Sequence, residues 1–357
     1  MALNDNGAQQ PPGDSRPIMV AMGASAGGVE ALLRLARRFE PNLPACVLVT
    51  IHLSSQHRSA LDEILTRAGP LPAHFAADGQ IYRKGHIYIA PPDRHLLLDG
   101  ERLLLGSGPR ENNSRPAIDP MLRSVATCCG ARGVGVVMTG TLGDGASGLW
   151  AVQHCGGLTV VQDPEDADFA EMPMTALEKV RPDHVVPLAD MPRLLDSLAH
   201  QPAGQQVPVP PSIAFEVEIA RGEPATMEDM DHIGRRSVLA CPDCQGVMWE
   251  IDEGNLVRYR CHVGHSYTAE LMSVAVDESL RRALASALRA LEERLALARK
   301  LQRQAERQQH ALSAENWSKK AAEFQKELRI IRDATRRMDA IAANQQVDRV
   351  AKRAAQS

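Results

Sequence analysis

Hydrophobic positions between residues 18 and 198 follow two alternating patterns. Short, nearly unbroken apolar runs predict strands at 18–22, 46–51, 86–89, 135–138 and 158–161. Apolar residues spaced by three and four positions predict helices at 29–38, 60–67, 120–129 and 146–154. Strands that are apolar on both faces are typical of parallel sheets with helices on each side. The pattern therefore predicts an α/β domain with a doubly wound, mainly parallel sheet.

A polar turn at Asp99-Gly100 separates two further apolar runs, 95–98 and 102–105. An Asp-Gly pair between apolar runs is a strong hairpin signal. We expect this hairpin to add antiparallel strands to the sheet.

The chain changes character after residue 200. Residues 201–211 are rich in proline and glutamine, which predicts an extended linker, and we assign 201–236 to it. A cysteine-containing module follows at 237–267, with strands predicted at 247–251 and 257–260. Neither Gly nor Pro occurs after Gly264, and apolar residues recur at helical spacing. This predicts a helical hairpin at 268–345 with a break near Ser313. The α/β domain occupies 17–200, after a disordered tail at 1–16, and a second tail covers 346–357.

Charge is distributed unevenly along the chain. The net charge of −4 conceals a basic end, where residues 280–357 carry 18 Lys and Arg against 9 Asp and Glu. An overall charge so close to balance does not by itself indicate nucleic acid. The basic end offers only Trp317 and Phe324 as aromatic platforms for bases, so a nucleic-acid partner is disfavoured.

The apolar runs and the cysteine count also indicate the cellular compartment of the protein. No run of about 18 apolar residues is present, which argues against a membrane-spanning helix, and the polar residues 1–16 do not resemble a signal peptide. The 7 cysteines are an odd number, which argues against a disulfide framework. We expect a cytoplasmic protein with core thiols and a metal site.

The predicted first strand runs into the segment Gly23-Ala24-Ser25-Ala26-Gly27-Gly28, and a helix pattern follows. A dinucleotide-binding turn would need a glycine where Ser25 stands and a carboxylate where His52 ends the second strand. The Gly-x-Ser-x-Gly pattern instead favours a sharp turn that exposes a nucleophilic serine beside backbone amides. A purely structural glycine-rich turn is the alternative.

Two other polar residues follow predicted strands. His52 comes directly after the strand at 46–51, and Asp144 lies in the loop after 135–138. The carboxyl ends of parallel strands converge on one sheet edge, where serine, imidazole and carboxylate would form the constellation that acyl transfer requires. Taken singly, each residue has a structural alternative: a hydrogen-bonded histidine near a helix start, and a helix cap.

At this point the sequence resembles the catalytic domain of the CheB family of chemotaxis protein-glutamate methylesterases. The resemblance covers most of residues 17–198. Besides Ser25, His52 and Asp144 with their neighbours, it rests on motifs in a fixed order: Gly85-His86-Ile87-Tyr88-Ile89-Ala90-Pro91-Pro92, Arg115-Pro116-Ala117-Ile118-Asp119, Met138-Thr139-Gly140 and Val161-Gln162-Asp163-Pro164 with Met172-Pro173.

The resemblance implies a serine hydrolase that removes methyl groups from glutamate methyl esters of methyl-accepting chemoreceptors, often with glutamine deamidation, and without a catalytic cofactor. It implies Ser25 as nucleophile, His52 as general base and Asp144 as its partner. Backbone amides of Ala26 and Thr141 are the implied oxyanion donors. A non-catalytic signalling scaffold that keeps the fold is the rival hypothesis, and the intact serine, histidine and aspartate argue against it.

The chain departs from the family pattern in two respects. Better-known members have a threonine where Ala26 stands and Gly-Met-Gly where this chain has Gly140-Thr141-Leu142; backbone donors should tolerate both changes. Two-domain members also carry an N-terminal receiver domain, for which we expect no counterpart here. We therefore expect activity that is constitutive or controlled by the C-terminal half.

The cysteine module contains four candidate metal ligands. Cys241 and Cys244 flank a tight turn, and Cys261 and His265 form a second pair. Three thiolates and one imidazole are typical of a closed, structural zinc site, and zinc would supply much of the stability of so small a module. His262 adjoins Cys261 and is poorly placed to reach the same ion, so we predict His265 as the fourth ligand.

The helical hairpin at 268–345 has two interpretations. Its leucine stripe is typical of packing or dimerisation through an apolar face. Its basic charge would equally suit docking on acidic chemoreceptor helices or on another chemosensory signalling protein.

Overall fold

The computed structural model describes residues 18–52 and 59–354, with side chains described as far as residue 339. The tail predicted at 1–16 lies outside the described residues. The chain divides into two units, of which the first ends at Met272 and the second begins at Ser273.

The first unit begins with an α/β domain. Its strands are β1 (Ile18–Ala24), β2 (Ala45–Ile51), β3 (Ala73–Phe75), β4 (Ile87–Ile89), β5 (His95–Asp99), β6 (Arg102–Gly106), β7 (Gly133–Val137), β8 (Leu158–Gln162) and β9 (His184–Val186). Its helices are α1 (Gly28–Ala36), α2 (Leu61–Ala68), α3 (Ile118–Cys129), α4 (Ala146–His154), α5 (Glu171–Lys179) and α6 (Met191–His200). Every strand and helix predicted in this region is present, with ends shifted by at most two residues.

Within the described residues, seven of these strands form one sheet in the order β3-β4-β2-β1-β7-β8-β9, and all neighbouring pairs are parallel. The expectation that the hairpin adds antiparallel strands to this sheet is wrong, because β5 and β6 form a separate two-stranded sheet and neither pairs with a described strand of the large one. The backbone amide of Leu98 on β5 donates to Ser124 Oγ on α3 at 3.0 Å. Helix α3 therefore takes up a β5 donor that a neighbouring strand would otherwise bind.

Side chains of β1 alternate between two hydrophobic cores, one on each face of the sheet. Val20 and Met22 pack in the core that includes residues of α1, α2 and α6. Met19 and Ala21 pack in the core that includes residues of α3, α4 and the β5–β6 hairpin. Because both faces are covered, the strands read as unbroken apolar runs.

The interval 201–236, predicted as a linker, is only partly extended. The described residues 202–210 lie outside helices and strands, but α7 (Pro211–Arg221) and α8 (Met227–Ile233) follow them. Pro211 stands in the first turn of α7, where a missing N–H costs no helical hydrogen bond. Thr226 and Asp229 form a capping box at the start of α8. Proline therefore starts a helix here, which the linker interpretation missed.

Residues 235–268, which we call the cysteine module, form an antiparallel sheet. Its strands are β10 (Arg235–Ala240), β11 (Val247–Glu253), β12 (Leu256–Cys261) and β13 (Ser266–Thr268). The two strands predicted at 247–251 and 257–260 are confirmed as β11 and β12. Trp249 on β11 is fully buried and packs with Ile219 of α7 and Met230 of α8. The module is thereby joined to the helices that precede it.

The two long helices predicted at the C-terminal end are α9 (Ala269–Arg307) and α10 (Ala311–Ala354). In the second unit they are antiparallel neighbours: Arg294 lies over the ring of Phe324 at 4.2 Å, and Arg332 pairs with Glu292 at 2.6 Å. The chain reverses at 308–310, a few residues before the break predicted near Ser313, and α10 extends beyond the predicted end at 345. Among the described helices, none combines the length and apolar character that a membrane span requires.

Candidate active site and metal centre

Three neighbouring strands bring Ser25, His52 and Asp144 to one edge of the sheet. Ser25 directly follows β1, His52 directly follows β2, and Asp144 lies between β7 and α4. Because β2, β1 and β7 are adjacent and parallel, their carboxyl ends lie side by side. Ser25 Oγ is 3.1 Å from His52 Nδ1, and His52 Nε2 is 2.8 Å from Asp144 Oδ2. The three residues that the sequence predicts as a triad are thus hydrogen-bonded in series.

The direction of these hydrogen bonds follows from the ionised carboxylate. Asp144 only accepts, so His52 Nε2 carries the proton, and the lone pair of Nδ1 accepts from the Ser25 hydroxyl. The Ser25 hydroxyl thus lies beside a base, His52, and the buried Asp144 fixes the tautomer of that base. Nucleophilic catalysis by serine requires this arrangement. The His52 side chain is 21% exposed and Ser25 is half-buried, so the pair is accessible from solvent.

Asp144 is buried at the N-terminus of α3, a helix whose N-cap residue supplies no capping side chain. Its carboxylate accepts the amide of Ile118 at 2.7 Å, the amide of Asp119 at 3.1 Å and Asn112 Nδ2 at 3.0 Å. Burial alone would raise the pKa of Asp144, but the hydrogen bond and charge of His52, with the Ile118 amide and Asn112, lower it to about 2. Asp144 is therefore ionised when it holds the imidazole.

A second buried carboxyl group, Asp119, lies beside Asp144. It accepts the amides of Gly145 at 3.0 Å and Gly148 at 2.7 Å, and Asn112 Nδ2 donates to it at 2.9 Å. Burial, followed by the negative charge of Asp144, raises the pKa of Asp119 to about 8. Asp119 is the last residue of the Arg115–Asp119 motif of the family resemblance, but that motif alone does not indicate a role for it. Asn112 lies in no motif that the sequence reveals.

The turn around Ser25 brings the predicted oxyanion donors near the serine. The Ser25 amide donates to Thr139 O at 3.0 Å, and Gly27 has φ of +75°, a conformation that side chains with a Cβ rarely adopt. A Cβ atom at Gly140 would lie 3.0 Å from that of Ser25, so the loop that carries Thr141 passes beside Ser25. Within the described part of the chain, the amides of Ala26 and Thr141 have no protein acceptor.

The four candidate metal ligands converge in the cysteine module. Their ligand atoms lie within 4.8 Å of one another: Cys241, Cys244, Cys261 and His265. Cys244 Sγ is 3.7 Å from Cys261 Sγ, and His265 Nδ1 is 3.5 Å from Cys261 Sγ. Thiolates about 2.3 Å from a tetrahedral zinc ion stand about 3.8 Å apart, so the donor set and its spacing can hold such an ion.

The surroundings of this cluster support His265 rather than His262 as the fourth ligand. With Nδ1 of His265 facing the thiols, Nε2 points to Asp243 Oδ2 at 3.9 Å. The Tyr267 hydroxyl donates to the same Asp243 oxygen at 2.6 Å. A carboxylate behind a ligating imidazole fixes its orientation and raises its basicity. His262 lies outside the cluster.

A buried charge network, which no sequence motif indicates, joins the α/β domain to the cysteine module. Arg260 Nη2 on β12 lies 2.7 Å from Glu111 and 2.9 Å from Glu216, and Arg258 Nη2 lies 2.7 Å from Glu216. Arg123 of α3 also pairs with Glu111. Burial would raise the pKa of Glu216, but the charges of the arginines lower it well below its usual range. The sequence offered no signal, because charged residues in strands usually face solvent.

A parallel α/β sheet whose strand ends hold serine, imidazole and carboxylate in a hydrogen-bonded series defines a class of serine hydrolase-like domains. A sequence model of the family described as CheB methylesterase matches residues 20–195. The crystal structure of the Thermotoga maritima CheB methylesterase catalytic domain is 30% identical, with a TM-score of 0.50, and the match covers 51% of this chain and 98% of that one. The chain therefore belongs to the CheB methylesterase family.

Two curated relatives are named for the same two activities. The protein-glutamate methylesterase/protein-glutamine glutaminase of Pyrococcus abyssi is 35% identical over 179 residues, which is 49% of each chain. Protein-glutamate methylesterase/protein-glutamine glutaminase 1 of Myxococcus xanthus is 36% identical over 189 residues, which is 52% of this chain and 55% of that one. The chain thus spans about half the length of the curated relatives it matches.

Proposed function

We propose that this chain is a serine esterase that hydrolyses glutamate methyl esters of methyl-accepting chemoreceptors, with deamidation of receptor glutamines as a second reaction. The series of hydrogen bonds from Ser25 through His52 to Asp144 carries this proposal. Names of relatives that join methylesterase with glutaminase support both reactions.

In the first half of the reaction, Ser25 Oγ attacks the ester carbonyl carbon while His52 Nδ1 takes the hydroxyl proton. Asp144, already ionised, stabilises the imidazolium that forms. The tetrahedral intermediate collapses when the imidazolium returns the proton to the methoxide oxygen. Methanol leaves, and the glutamyl group remains as an ester of Ser25.

In the second half, a water molecule attacks the acyl-enzyme and gives its proton to His52. The second tetrahedral intermediate collapses by returning the proton to Ser25 Oγ, which frees the glutamate side chain as a carboxylic acid that then ionises in water. A glutamine amide follows the same course with ammonia as the leaving group. We assign the amides of Ala26 and Thr141 as donors to the oxyanion, supported by their free state among the described residues.

We further propose that Cys241, Cys244, Cys261 and His265 bind Zn²⁺ as a structural ion. The S···S and S···N spacings of 3.5 to 3.7 Å support a tetrahedral site closed to substrate. Zinc would supply stability to the cysteine module and no step of the reaction.

We place the reaction in the cytoplasm, because an odd number of cysteines, 7, argues against the disulfide framework of a secreted protein. The catalytic domain at 17–200 and the module at 237–267 are proposed as the domains that carry the two sites. The basic helical hairpin would suit an acidic receptor surface.

The test uses receptor membranes methylated beforehand and the full chain. Mass spectrometry of receptor peptides should show methyl-glutamyl residues converted to glutamate by the wild type and not by the Ser25→Ala variant. Equal retention of methyl groups with both proteins would overturn the esterase and favour a signalling scaffold.

A further inference from the structure

Strand β13 of the cysteine module pairs with the loop that precedes α3. The amide of Asn112 donates to Ser266 O at 2.8 Å, and the amide of Ser266 donates to Arg110 O at 3.4 Å. Glu111, between them, pairs with Arg260 of the module. The position of this loop is therefore set by residues that lie about 150 positions later in the chain.

The Asn112 side chain is hydrogen-bonded at both ends. Its Oδ1 atom accepts the amide of Thr268 on β13 at 3.2 Å. Its Nδ2 atom donates to Asp144 at 3.0 Å and to Asp119 at 2.9 Å. A side-chain amide has one acceptor end and one donor end, so the bond from Thr268 turns the donor end toward the two carboxyl groups.

Two more features fix this arrangement. Asn112 is buried and has φ of 50°, a left-handed conformation that asparagine tolerates better than most residues. Thr268 also packs against the loop that carries Asp144, since a Cβ atom added at Gly143 would lie 3.5 Å from Thr268 Cγ2. Strand β13 thus touches both the residue that donates to Asp144 and the loop that carries Asp144.

We propose that Asn112 is a positioning residue for the catalytic aspartate and that β13 of the cysteine module orients it. The C-terminal module then completes the triad without touching substrate. This inference rests on the proposed function, because Asp144 is assigned there as the partner of the general base.

The first experiment compares full-length Asn112→Gly and Asn112→Asp with the wild type. Glycine keeps the left-handed backbone and removes the side chain. Aspartate keeps an acceptor for Thr268 and puts an oxygen where Nδ2 faced Asp144 and Asp119. Asn113→Gly is the matched control, because Asn113 is exposed and has φ of 62°.

Two readouts separate this inference from the proposed function. One is kcat and KM for methanol release from methylated receptors. The other is the rate of covalent modification of Ser25 by a small fluorophosphonate, which needs an activated serine and no receptor. We expect Asn112→Gly to lower kcat and the modification rate about 10- to 100-fold, the effect of losing a hydrogen bond to a charged group, with KM unchanged. Asn112→Asp should lose more, and Asn113→Gly should match the wild type.

The second experiment tests the contribution of β13. Thr268→Pro removes the N–H that holds Asn112, and Thr268→Val keeps it; both remove the hydroxyl that accepts from Leu271 N. The fluorophosphonate should modify Ser25 more slowly in Thr268→Pro than in Thr268→Val. This difference should disappear in the Asn112→Gly background, because the effects of coupled residues are non-additive.

Wild-type rates of Ser25 modification in Asn112→Gly and Asn112→Asp would overturn the inference, as would a Thr268→Pro effect that persists without the Asn112 side chain. Modification of Ser25 without methanol release would overturn the proposed substrate alone, and the Asn112 comparison would still decide the positioning role. No modification of wild-type Ser25 would overturn both.

Discussion

Arg258 on β12 and Glu216 on α7 form a buried ion pair, with 2.7 Å between Nη2 and Oε1. Arg258 also pairs with Glu253 of its own module, and Glu216 with Arg260. Arg123 of α3 lies 3.4 Å from Glu216 as well, so Glu216 balances the charge of three buried arginines where the cysteine module meets the α/β domain.

Removing the charge of Glu216 should destabilise the first unit strongly. In Glu216→Gln the three arginines keep only the carboxylates of Glu111 and Glu253. One buried positive charge is then uncompensated, which typically costs about 3–5 kcal/mol. Glu218→Gln is the matched control, because Glu218 is 48% exposed and pairs with Arg221 at 3.6 Å, a surface contact that contributes at most about 1 kcal/mol. Urea denaturation measures both losses. Equal free energies of unfolding for the two variants would contradict the role of the network.

The contribution of Asp144 to stability should depend on pH in a defined direction. Its pKa in the folded chain, about 2, lies below the ordinary value of 3.8, so its contribution is present above about pH 4 and is lost as the pH falls through 2. The difference in free energy of unfolding between the wild type and Asp144→Asn should shrink by about 2 kcal/mol between pH 5 and pH 2. A difference that stays constant over this range would contradict the ionised, hydrogen-bonded carboxylate.

The zinc content of the protein should depend on the four clustered ligands of the cysteine module. The wild type should bind about one zinc ion per chain, and Cys244→Ala should bind much less, because a structural site needs all four ligands. Cys155→Ala is the control, since Cys155 is a buried free thiol outside the cluster. Elemental analysis gives the metal content, and hydrogen exchange of residues 235–268 should accelerate only in Cys244→Ala. Zinc retention by that variant would contradict the assigned ligands.

Loss of the His52 imidazole should lower kcat without a comparable change in KM. General-base catalysis is typically worth about 10²–10⁴-fold, so His52→Gln should lose activity in that range. His74→Gln is a suitable control, because His74 is an exposed histidine on β3. Methanol release under saturating receptor gives the comparison, and similar losses in the two variants would argue against His52 as the base.

The sheet and the convergence of Ser25, His52 and Asp144 at one of its edges were predictable because local signals and topology agree. Ser25 and His52 stand immediately after apolar strands, and Asp144 lies in a loop after a third strand, so parallel pairing alone brings them to one edge. The ligand cluster was predictable for a similar reason, since two short spacings in one small module leave few other arrangements.

The contacts between distant segments were not predictable in the same way. Asn112 and Thr268 are separated by 156 positions, and their hydrogen bond depends on how the cysteine module packs on the loop before α3. Arg258 and Arg260 sit on a strand where charge usually faces solvent, yet both are buried because their partners come from α7 and from the loop that holds Glu111. No periodicity or short motif records such pairings.

The most direct test of the central claim is the initial rate of methanol release from methylated receptor membranes, measured side by side for the wild type and Ser25→Ala at equal concentration. The hydrogen-bonded serine, histidine and aspartate predict release by the wild type and only the rate of the enzyme-free control with Ser25→Ala. Equal rates for the two proteins would contradict the account.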